Sequence, residues 1–318
     1  MRALITGGNG FVGQWLARAL LRRGDHVVSA SLQREPGQLV LRDDEKRAVE
    51  WTVADVRDAR QVDDAVDAAR ADVVFHLAGV SFPPDAERSP ELTYDVNVLG
   101  AVRLLAAVTR QRAAGSADPV VIIVGSAVQY GWHDDAEMPL TEEAQQRPAT
   151  VYGASKAAQE VAALQAFRHD GLRVICLRAF NHSGVGHAPQ YLLPSLVART
   201  KRIGAGAERT LRLGGDVIRD YLHVEDVVSA YLSLAARGRA GETYNVASGV
   251  GIRTVELARE VLLRAGVAAE ISSESTLVRA SDIPALIGSP AKLIQDTGWA
   301  PTKTHTDIID DLLNAEAD

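Results

Sequence analysis

The chain has 318 residues, of which 47% are hydrophobic and 24% are charged, and it carries a formal net charge of −7 at pH 7. This composition is ordinary for a globular protein and leaves room for one large core and a smaller lobe. A negative field repels phosphate backbones, so the charge argues against a nucleic acid as partner. An anionic nucleotide would need local arginines and helix N-termini.

Short apolar runs alternate with helical patterns through the first half of the chain. Near-continuous apolarity over so few residues is typical of strands that are covered on both faces. Amphipathic periodicity between these runs predicts helices at 11–21, 97–112 and 152–167. Repeated strand–helix–strand units require a parallel sheet, so we predict an α/β fold with a doubly wound parallel sheet. The six predicted strands lie at residues 3–5, 26–28, 49–53, 72–75, 120–124 and 173–177.

A glycine-rich turn follows the first strand and opens the first helix, with the sequence Thr-Gly-Gly-Asn-Gly-Phe-Val-Gly at residues 6–13. Gly7 allows a tight turn, Gly10 lets backbone amides approach a pyrophosphate, and Gly13 lets the helix pack closely against the sheet. Phe11 and Val12 lie between these glycines and belong to the same predicted dinucleotide site. The alternative is a glycine turn without a ligand, which the strand–turn–helix context disfavours.

The residues after the second and third strands bear on the choice of dinucleotide. Enzymes that use NAD usually place a carboxylate after the second strand to bind the ribose hydroxyls. This chain has Ser31 and Arg34 there, and Glu35 lies beyond the expected position. A hydroxyl and a guanidinium suit a 2′-phosphate, so NADP (as NADPH) is the preferred cofactor and NAD is possible, unless Arg34 simply faces solvent. Asp55 and Val56 are placed to contact the adenine, although Asp55 also suits a turn.

A tyrosine and a lysine four residues apart predict the reactive part of the site. Tyr152 and Lys156 share one face of the predicted helix, and Ser126 ends the fifth strand. Reduction of a ketone needs a proton on oxygen as hydride reaches carbon, and Tyr152 is the candidate acid. A neighbouring ammonium favours the phenolate, so Lys156 would tune Tyr152 and also bind the nicotinamide ribose. Ser126 can donate a hydrogen bond to the same oxygen. The alternative is a chance pair on a surface helix.

The pattern loosens after residue 177. Residues 181–215 are rich in glycine, proline and basic residues, and helices are predicted at 192–197, 254–265 and 308–313, with Thr254 as an N-cap. We therefore predict a Rossmann dinucleotide-binding domain with a smaller, discontinuous C-terminal substrate-binding lobe at the carboxyl ends of the strands. The Rossmann domain comprises residues 1–178 and 216–246, and the lobe comprises residues 179–215 and 247–318.

The single cysteine, the histidine spacing and the hydropathy bear on metal binding and on cellular location. The single cysteine, Cys176, lies in an apolar run and is predicted to be a buried strand thiol. No metal-ligand spacing joins the histidines, so no metal site is predicted. The chain opens directly with a strand, and no apolar run approaches the roughly 18 residues of a membrane helix. We expect a cytoplasmic protein with no membrane partner.

Taken together, these motifs resemble the extended short-chain dehydrogenase/reductase family, the NAD-dependent epimerase/dehydratase group that acts on nucleotide sugars. The Gly-x-x-Gly-x-x-Gly spacing is that of short-chain dehydrogenases. The likeness covers nearly the whole chain, and within the family it is greatest to GDP-6-deoxy-4-keto-mannose reductases, followed by GDP-mannose 4,6-dehydratases. Further segments that carry the resemblance are residues 76–79, 97–100, 178–186, 219–227 and 279–284.

The resemblance implies further site residues. Leu77, Ala78 and Gly79 would line the cofactor pocket. Asn181 would meet the nucleotide diphosphate of a sugar substrate. The remaining implied contacts are Arg219 and Arg279, which would neutralise the diphosphate, and Asp282, which would reach the nucleotide's ribose or base. For each arginine the alternative is a surface salt bridge.

One difference from the family bears on which of its reactions this chain can catalyse. Dehydratases of this group carry acidic residues just after the catalytic hydroxyl residue, whereas Ser126 is followed by Ala127 and then by Val128 in the substrate pocket. Valine cannot transfer a proton, so dehydration lacks its acid and base, while reduction and epimerisation need only the tyrosine, lysine and serine. A second departure is the segment Gly184-Val185-Gly186, where a proline is common in the reductases.

Three functions therefore stay open: a reductase of nucleotide-diphosphate 4-keto-6-deoxyhexoses, a nucleotide-sugar epimerase, and an NADP-binding sensor without chemistry. The reductase is preferred, and its expected conversion is GDP-4-keto-6-deoxy-D-mannose to GDP-D-rhamnose. The resemblance also implies a homodimer, because the family packs the helices predicted at 97–112 and 152–167 into a four-helix interface.

Overall fold

Segments of four to seven residues, most of them apolar, form a seven-stranded parallel sheet in the spatial order 243–246, 173–179, 120–126, 73–76, 2–6, 26–31 and 50–53. The computed structural model describes residues 1–33, 40–273 and 283–315. All six predicted strands are confirmed, and the seventh was not foreseen. The strands of this sheet are β1 (Arg2–Thr6), β2 (His26–Ser31), β3 (Glu50–Val53), β4 (Val73–His76), β5 (Val120–Ser126), β6 (Arg173–Ala179) and β10 (Thr243–Val246).

Two smaller sheets lie outside the large one. In the first sheet, the strand at residues 218–223 pairs with each of the other three strands. In the second sheet, the two strands run parallel to each other. The first sheet comprises β7 (Asn181–Ser183), β11 (Gly251–Arg253), β9 (Ile218–His223) and β13 (Ala285–Leu286), and the second comprises β8 (Thr210–Leu213) and β12 (Glu270–Ser273).

The predicted helices are confirmed, with bounds that differ by a few residues. Thr254 is the first helical residue rather than the N-cap, which is Arg253, and the Thr254 hydroxyl donates to the carbonyl of Val217. The helices are α1 (Phe11–Arg22), α2 (Asp43–Ala48), α3 (Ala59–Ala69), α4 (Pro83–Arg88), α5 (Pro90–Tyr94), α6 (Gly100–Ala113), α7 (Val151–Asp170), α8 (Leu192–Gly204), α9 (Val224–Arg237), α10 (Thr254–Arg264), α11 (Ala291–Thr297) and α12 (His305–Asn314).

Both faces of the large sheet are covered, which explains why its strands are almost continuously apolar. Helices α1 and α9 pack on one face, and α3, α6 and α7 pack on the other. A separate core joins α8, α10 and α12 with β8. Cys176 is buried in β6 as a free thiol, as predicted.

Helices α5 and α6 join into one helix, Pro90–Ala113, through a π-helical turn at Asp95–Leu99. Contrary to expectation, this helix has the length and apolar composition that would allow it to cross a membrane. It packs against α3 and α7, and a buried helix of a globular core has the same composition. We therefore assign it to the helix layer.

Candidate active site

A cleft of about 1470 Å³ opens at the carboxyl ends of β1, β4 and β5, between the large sheet and the segments that follow β6. Three predicted site residues, Arg34, Arg279 and Asp282, lie outside the described residues. Every other predicted site residue lines this one cleft: Gly7, Gly10, Phe11, Val12, Gly13, Ser31, Asp55, Val56, Leu77, Ala78, Gly79, Ser126, Val128, Tyr152, Lys156, Asn181 and Arg219.

The glycine-rich turn has the backbone of an anion cradle. Gly7 has φ +76°, and a Cβ there would lie 2.7 Å from the amide nitrogen of Ala78. A Cβ on Gly13 would lie 2.6 Å from the carbonyl oxygen of Gly7, whereas Gly10 meets only that oxygen, at 3.3 Å. Gly10 is the N-cap of α1, so the first-turn amides have no carbonyl of their own helix to bind. Open space over such amides fits a pyrophosphate.

Ser31 and Asn9 brace this turn. The Ser31 hydroxyl accepts from the Asn9 backbone N–H at 3.2 Å, and the Asn9 side chain donates to the carbonyl of Gln33 at 2.6 Å. The hydroxyl proton of Ser31 remains available to a ligand, because a serine can donate and accept at once. Sequence reasoning named Ser31 for a ligand contact and did not foresee its contact with the turn.

Asp55 and its neighbour form a charged pair at the far end of the cleft. Arg57 donates to the Asp55 carboxylate from its backbone and from its guanidinium at 2.6–3.0 Å, and this pairing lowers the pKa of Asp55. The Asp55 carbonyl also accepts from Asp58 N–H, so Asp55 is a turn residue as well as a cleft residue. Arg57 lines the cleft and was missed, because nothing in its sequence context separates it from a solvated arginine.

A buried asparagine fixes the loop after β4. Asn97 lies in the π-helical turn, accepts from Val80 N–H at 2.8 Å and donates to the Val80 carbonyl and to Ser155 Oγ. A Cβ on Gly79 would lie 2.9 Å from the Asn97 side-chain oxygen. The π turn thus connects the cofactor-pocket loop to α7. Sequence reasoning used Asn97 only as the start of a helix.

The predicted reactive residues converge on the same wall. Tyr152 and Lys156 lie in the first two turns of α7, and Ser126, at the end of β5, lies close enough to the phenol of Tyr152 to affect its pKa. Burial raises the pKa of Tyr152 to about 12, and the neighbouring Ser126 opposes that rise. The phenol is therefore protonated near neutral pH and able to act as an acid.

Lys156 is 5% exposed, and burial lowers its pKa to about 8. Its ammonium donates to the carbonyl of Val124 at 2.8 Å and to Gln159 Oε1 at 2.9 Å. His76, at the end of β4, shares a hydrogen bond with Thr6 Oγ1. Burial, with a smaller contribution from Lys156, lowers the pKa of His76 to about 3, so the nearby imidazole is neutral.

A buried ion pair between Glu160 and Arg178 supports Ser126 through the side chain of Gln129. Gln129 Oε1 accepts from Ser126 N–H at 2.7 Å, and the Gln129 amide donates to Glu160 at 2.9 Å. Arg178 donates to both oxygens of Glu160, at 2.6 and 3.0 Å, and its guanidinium lies 4.8 Å from the Tyr130 ring centre. The reactive wall is therefore anchored through several buried partners.

The opposite wall is built from loops and shows more exposed side chains. Asn181 is exposed, and Arg219 is half-buried and donates to the carbonyl of Ile218. Val128 lies in the cleft, so an aliphatic side chain occupies the position two residues after Ser126. Sequence reasoning missed the lining residues Ser81, Tyr191, Arg199 and Arg212, which lie in segments without a recognisable motif.

The histidines of this wall serve structural contacts. The His187 ring stacks between Phe11 and Tyr191, with centroids 4.6 and 4.2 Å away, and burial lowers its pKa to about 3. His182 is hydrogen-bonded to the carbonyl of Phe180, and His223 bonds Asp311 and caps α9. Within the described part of the chain, no three His, Cys, Asp or Glu side chains are grouped to hold a metal ion.

Comparison with known proteins gives a consistent set of relatives. Residues 4–312 match the family described as GDP-mannose 4,6-dehydratase. GDP-6-deoxy-D-mannose reductase of Pseudomonas aeruginosa is 36% identical over 235 residues, which are 73% of this chain and 76% of that protein. The structure of RMD from P. aeruginosa complexed with NADPH has 32% identity and a TM-score of 0.82, with 98% of each chain covered. UDP-glucose 4-epimerase of Thermus thermophilus complexed with NAD has 28% identity and a TM-score of 0.83, covering 99% of this chain and 100% of that one.

Proposed function

The chain belongs to the GDP-mannose 4,6-dehydratase family of extended short-chain dehydrogenases/reductases, and on that premise we propose that it reduces a nucleotide-diphosphate 4-keto-6-deoxyhexose. The family comprises NAD(P)-dependent reductases, dehydratases and epimerases of nucleotide sugars, so the chain is an NAD(P)-dependent oxidoreductase. The specific reaction that we propose is the reduction of GDP-4-keto-6-deoxy-D-mannose to GDP-D-rhamnose with NADPH.

One observation carries this proposal: a phenol and the hydroxyl of Ser126 line the same cleft as an aliphatic side chain, Val128, at the position where a dehydratase needs an acid. Tyr152 and Ser126 can polarise and protonate a carbonyl oxygen. Val128 lines the same cleft and has no proton to give or take. The 36% identity with a GDP-6-deoxy-D-mannose reductase supports the same reaction.

The cofactor would lie along the strand ends. The first-turn amides of α1 would hold its pyrophosphate, and Ser31 and Arg34 would select the 2′-phosphate of NADP. Lys156 would bind the nicotinamide ribose. The Pseudomonas relative complexed with NADPH supports NADP, and the epimerase complexed with NAD keeps NAD possible. When bound, NADPH supplies the hydride that reaches the carbonyl carbon.

The side chains of this protein supply the remaining steps. Ser126 donates a hydrogen bond to the carbonyl oxygen and orients it towards Tyr152. Tyr152 transfers its proton to that oxygen, which becomes the new hydroxyl, and Lys156 stabilises the phenolate that is left. Asn181 and Arg219 would hold the nucleotide diphosphate on the opposite wall, Arg279 would help to neutralise it, and Asp282 would contact the ribose or base of the nucleotide.

The test is NADPH oxidation with GDP-, dTDP- and UDP-linked 4-keto-6-deoxy sugars, with the configuration of the product determined. We expect turnover with the GDP sugar and a D-rhamno product. Conversion of none of the three, with normal NADPH affinity, would contradict the proposal and favour the sensor without chemistry.

An epimerase is the second candidate, because the match to the UDP-glucose 4-epimerase of Thermus thermophilus covers 99% of this chain and Val128 does not exclude that reaction. An epimerase would carry a tightly bound dinucleotide through purification and would consume no NADPH. A single assay with UDP-glucose and no added cofactor therefore separates the two candidates.

We also propose a homodimer. The helices Pro90–Ala113 and α7 leave apolar side chains exposed, with Leu99 47%, Val102 42% and Val161 64% exposed. These positions suit a four-helix interface. A monomeric mass at micromolar concentration would contradict it. The domain bounds and the cytoplasmic location stay predictions.

A further inference from the structure

The ammonium of Lys156 is held by two neutral oxygens inside the protein. One is the carbonyl of Val124 at 2.8 Å, and the other is Oε1 of Gln159 at 2.9 Å. Gln159 is 0% exposed and lies on the next turn of the same helix. An ammonium has three N–H donors, so these two contacts leave one donor for a ligand in the cleft.

We propose that Gln159 is a positioning residue that aims the remaining donor of Lys156 at the cofactor ribose and leaves the positive charge of the ammonium uncompensated. The inference rests on the proposed function, because it acts through the pair formed by Lys156 and Tyr152. Gln159 itself touches neither the sugar nor the cofactor.

The orientation of the Gln159 amide follows from its contacts. Its oxygen accepts from Lys156, while its buried nitrogen has no hydrogen-bond partner among the residues that the structure describes. The reverse orientation would bring two donors together at Lys156, so the ammonium fixes the amide as much as the amide fixes the ammonium. A buried polar group that makes only this contact has a specific reason to be there.

Among the residues that the structure describes, the titratable groups near Lys156 and Tyr152 are either uncharged near neutral pH or held in an ion pair. His76 approaches Lys156 from β4, and burial holds its pKa at about 3. Tyr231 from α9 and Tyr191 from the segment before α8 lie near Tyr152, and burial raises the pKa of both phenols. On α7 itself, Glu160 is paired with Arg178. A carboxylate in place of Gln159 would therefore be the first uncompensated anion beside Lys156.

Two substitutions of Gln159 distinguish its effect on the position of the Lys156 ammonium from the effect of a charge beside that ammonium. Gln159→Met removes the acceptor, so the ammonium loses its orientation. Gln159→Glu keeps an oxygen acceptor and the volume but adds a negative charge. The matched control is Gln111→Met, because Gln111 is 3% exposed on α6, donates to the carbonyl of Val66 at 2.8 Å, and does not line the cleft.

The first measurement needs no sugar. NADPH titration by fluorescence should show about 10-fold weaker binding for Gln159→Met, the loss of one charge-assisted hydrogen bond, while Gln111→Met and Gln159→Glu bind within about 3-fold of the unsubstituted protein. Equal NADPH affinity of Gln159→Met and Gln111→Met would contradict the positioning role. Thermal melting identifies a variant that is merely less stable, and Gln159→Glu decides if Gln159→Met does not fold.

The second measurement follows the charge. A carboxylate beside Lys156 weakens its stabilisation of the Tyr152 phenolate, so ionisation of Tyr152 should need a pH about 1 unit higher in Gln159→Glu. In the oxidation direction with NADP and GDP-D-rhamnose, the rate at low pH should fall about 10-fold and recover as the pH rises. An acid limb at the same pH as in Gln111→Met would overturn the inference. If no sugar is turned over, the ultraviolet titration of the phenolate in the NADP complex makes the same comparison, so failure of the proposed function is recognised separately.

Discussion

The two walls of the cleft are built on different principles. On the strand-end wall, His76 and Gln159 are 0% exposed and Lys156 is 5% exposed, and each side chain is held by partners on other elements or on the next helical turn. The opposite wall, or lobe wall, comprises residues of the lobe such as Asn181 and Arg212, which are exposed, together with Arg219 of β9, which is half-buried. We therefore expect the strand-end wall to be preorganised for the proposed reaction and the exposed side chains of the lobe wall to adjust when a substrate binds.

The largest expected effect comes from removing the acid on the strand-end wall. Tyr152→Phe keeps the ring and deletes the proton donor, so kcat/KM for the 4-keto sugar should fall about 10³-fold, equivalent to ~4 kcal/mol. NADPH affinity should stay within about 3-fold, because the phenol is not needed to hold the cofactor. Loss of both turnover and NADPH binding would show that Tyr152 has a structural role, and the contrast between the walls would fail.

The buried ion pair behind Ser126 tests the rigidity of the same wall. Glu160→Gln leaves the guanidinium of Arg178, 5% exposed, without its anion, so the free energy of unfolding should fall by about 3 kcal/mol. The matched change in the lobe is Arg253→Met, which removes a half-exposed partner of Asp216 and should lower the free energy of unfolding much less. Urea unfolding measures both, and equal costs would mean that the two regions are anchored alike.

The strand-end wall could be predicted well from the sequence because its main residues belong to short sequence motifs. The glycines of residues 6–13 and the spacing of Tyr152 and Lys156 each need only a strand or helix around them. Asn97 and Gln159 escaped notice because their roles depend on a π-helical turn and on a side chain 3 residues away, and neither leaves a periodic signal. The motifs also gave no indication that the side chains of Asn97 and Gln159 are buried.

The lobe was harder to predict for a related reason. Tyr191 lines the cleft only because the segment between β7 and α8 returns past Phe11, where His187 stacks between the two rings. The strand β10 was missed because its four residues include Thr243 and Asn245, which break the apolar run expected of a buried strand. Such placements follow from tertiary packing, and short sequence windows do not contain it.

A third substitution tests the lobe wall directly. Arg219→Met should raise KM for the nucleotide sugar about 30-fold, equivalent to ~2 kcal/mol for one charge-assisted contact, with kcat nearly unchanged because the reacting groups lie on the other wall. Arg202→Met is the matched control, since Arg202 pairs with Glu208 and does not line the cleft. A fall in kcat as large as the rise in KM would show that the lobe wall also shapes the transition state.

The smallest expected effect is on the free energy of unfolding at acid pH, and it compares a histidine of the strand-end wall with one of the lobe wall. Burial lowers the pKa of His76 to about 3 from 6.5, so the unfolded chain binds a proton below about pH 6.5 that the folded chain does not. The stabilisation that the neutral imidazole contributes is present at higher pH and is lost progressively as the pH falls. Between about pH 7.5 and about pH 5.5 this linkage should cost about 1.4 kcal/mol, and His76→Asn should lose correspondingly less stability than the unsubstituted protein over that range. His187 on the lobe wall is partly exposed, so solvent screening should make the difference for His187→Asn smaller. Urea unfolding at the two pH values measures both, and a larger difference for His187 than for His76 would place the more deeply desolvated imidazole on the lobe wall instead.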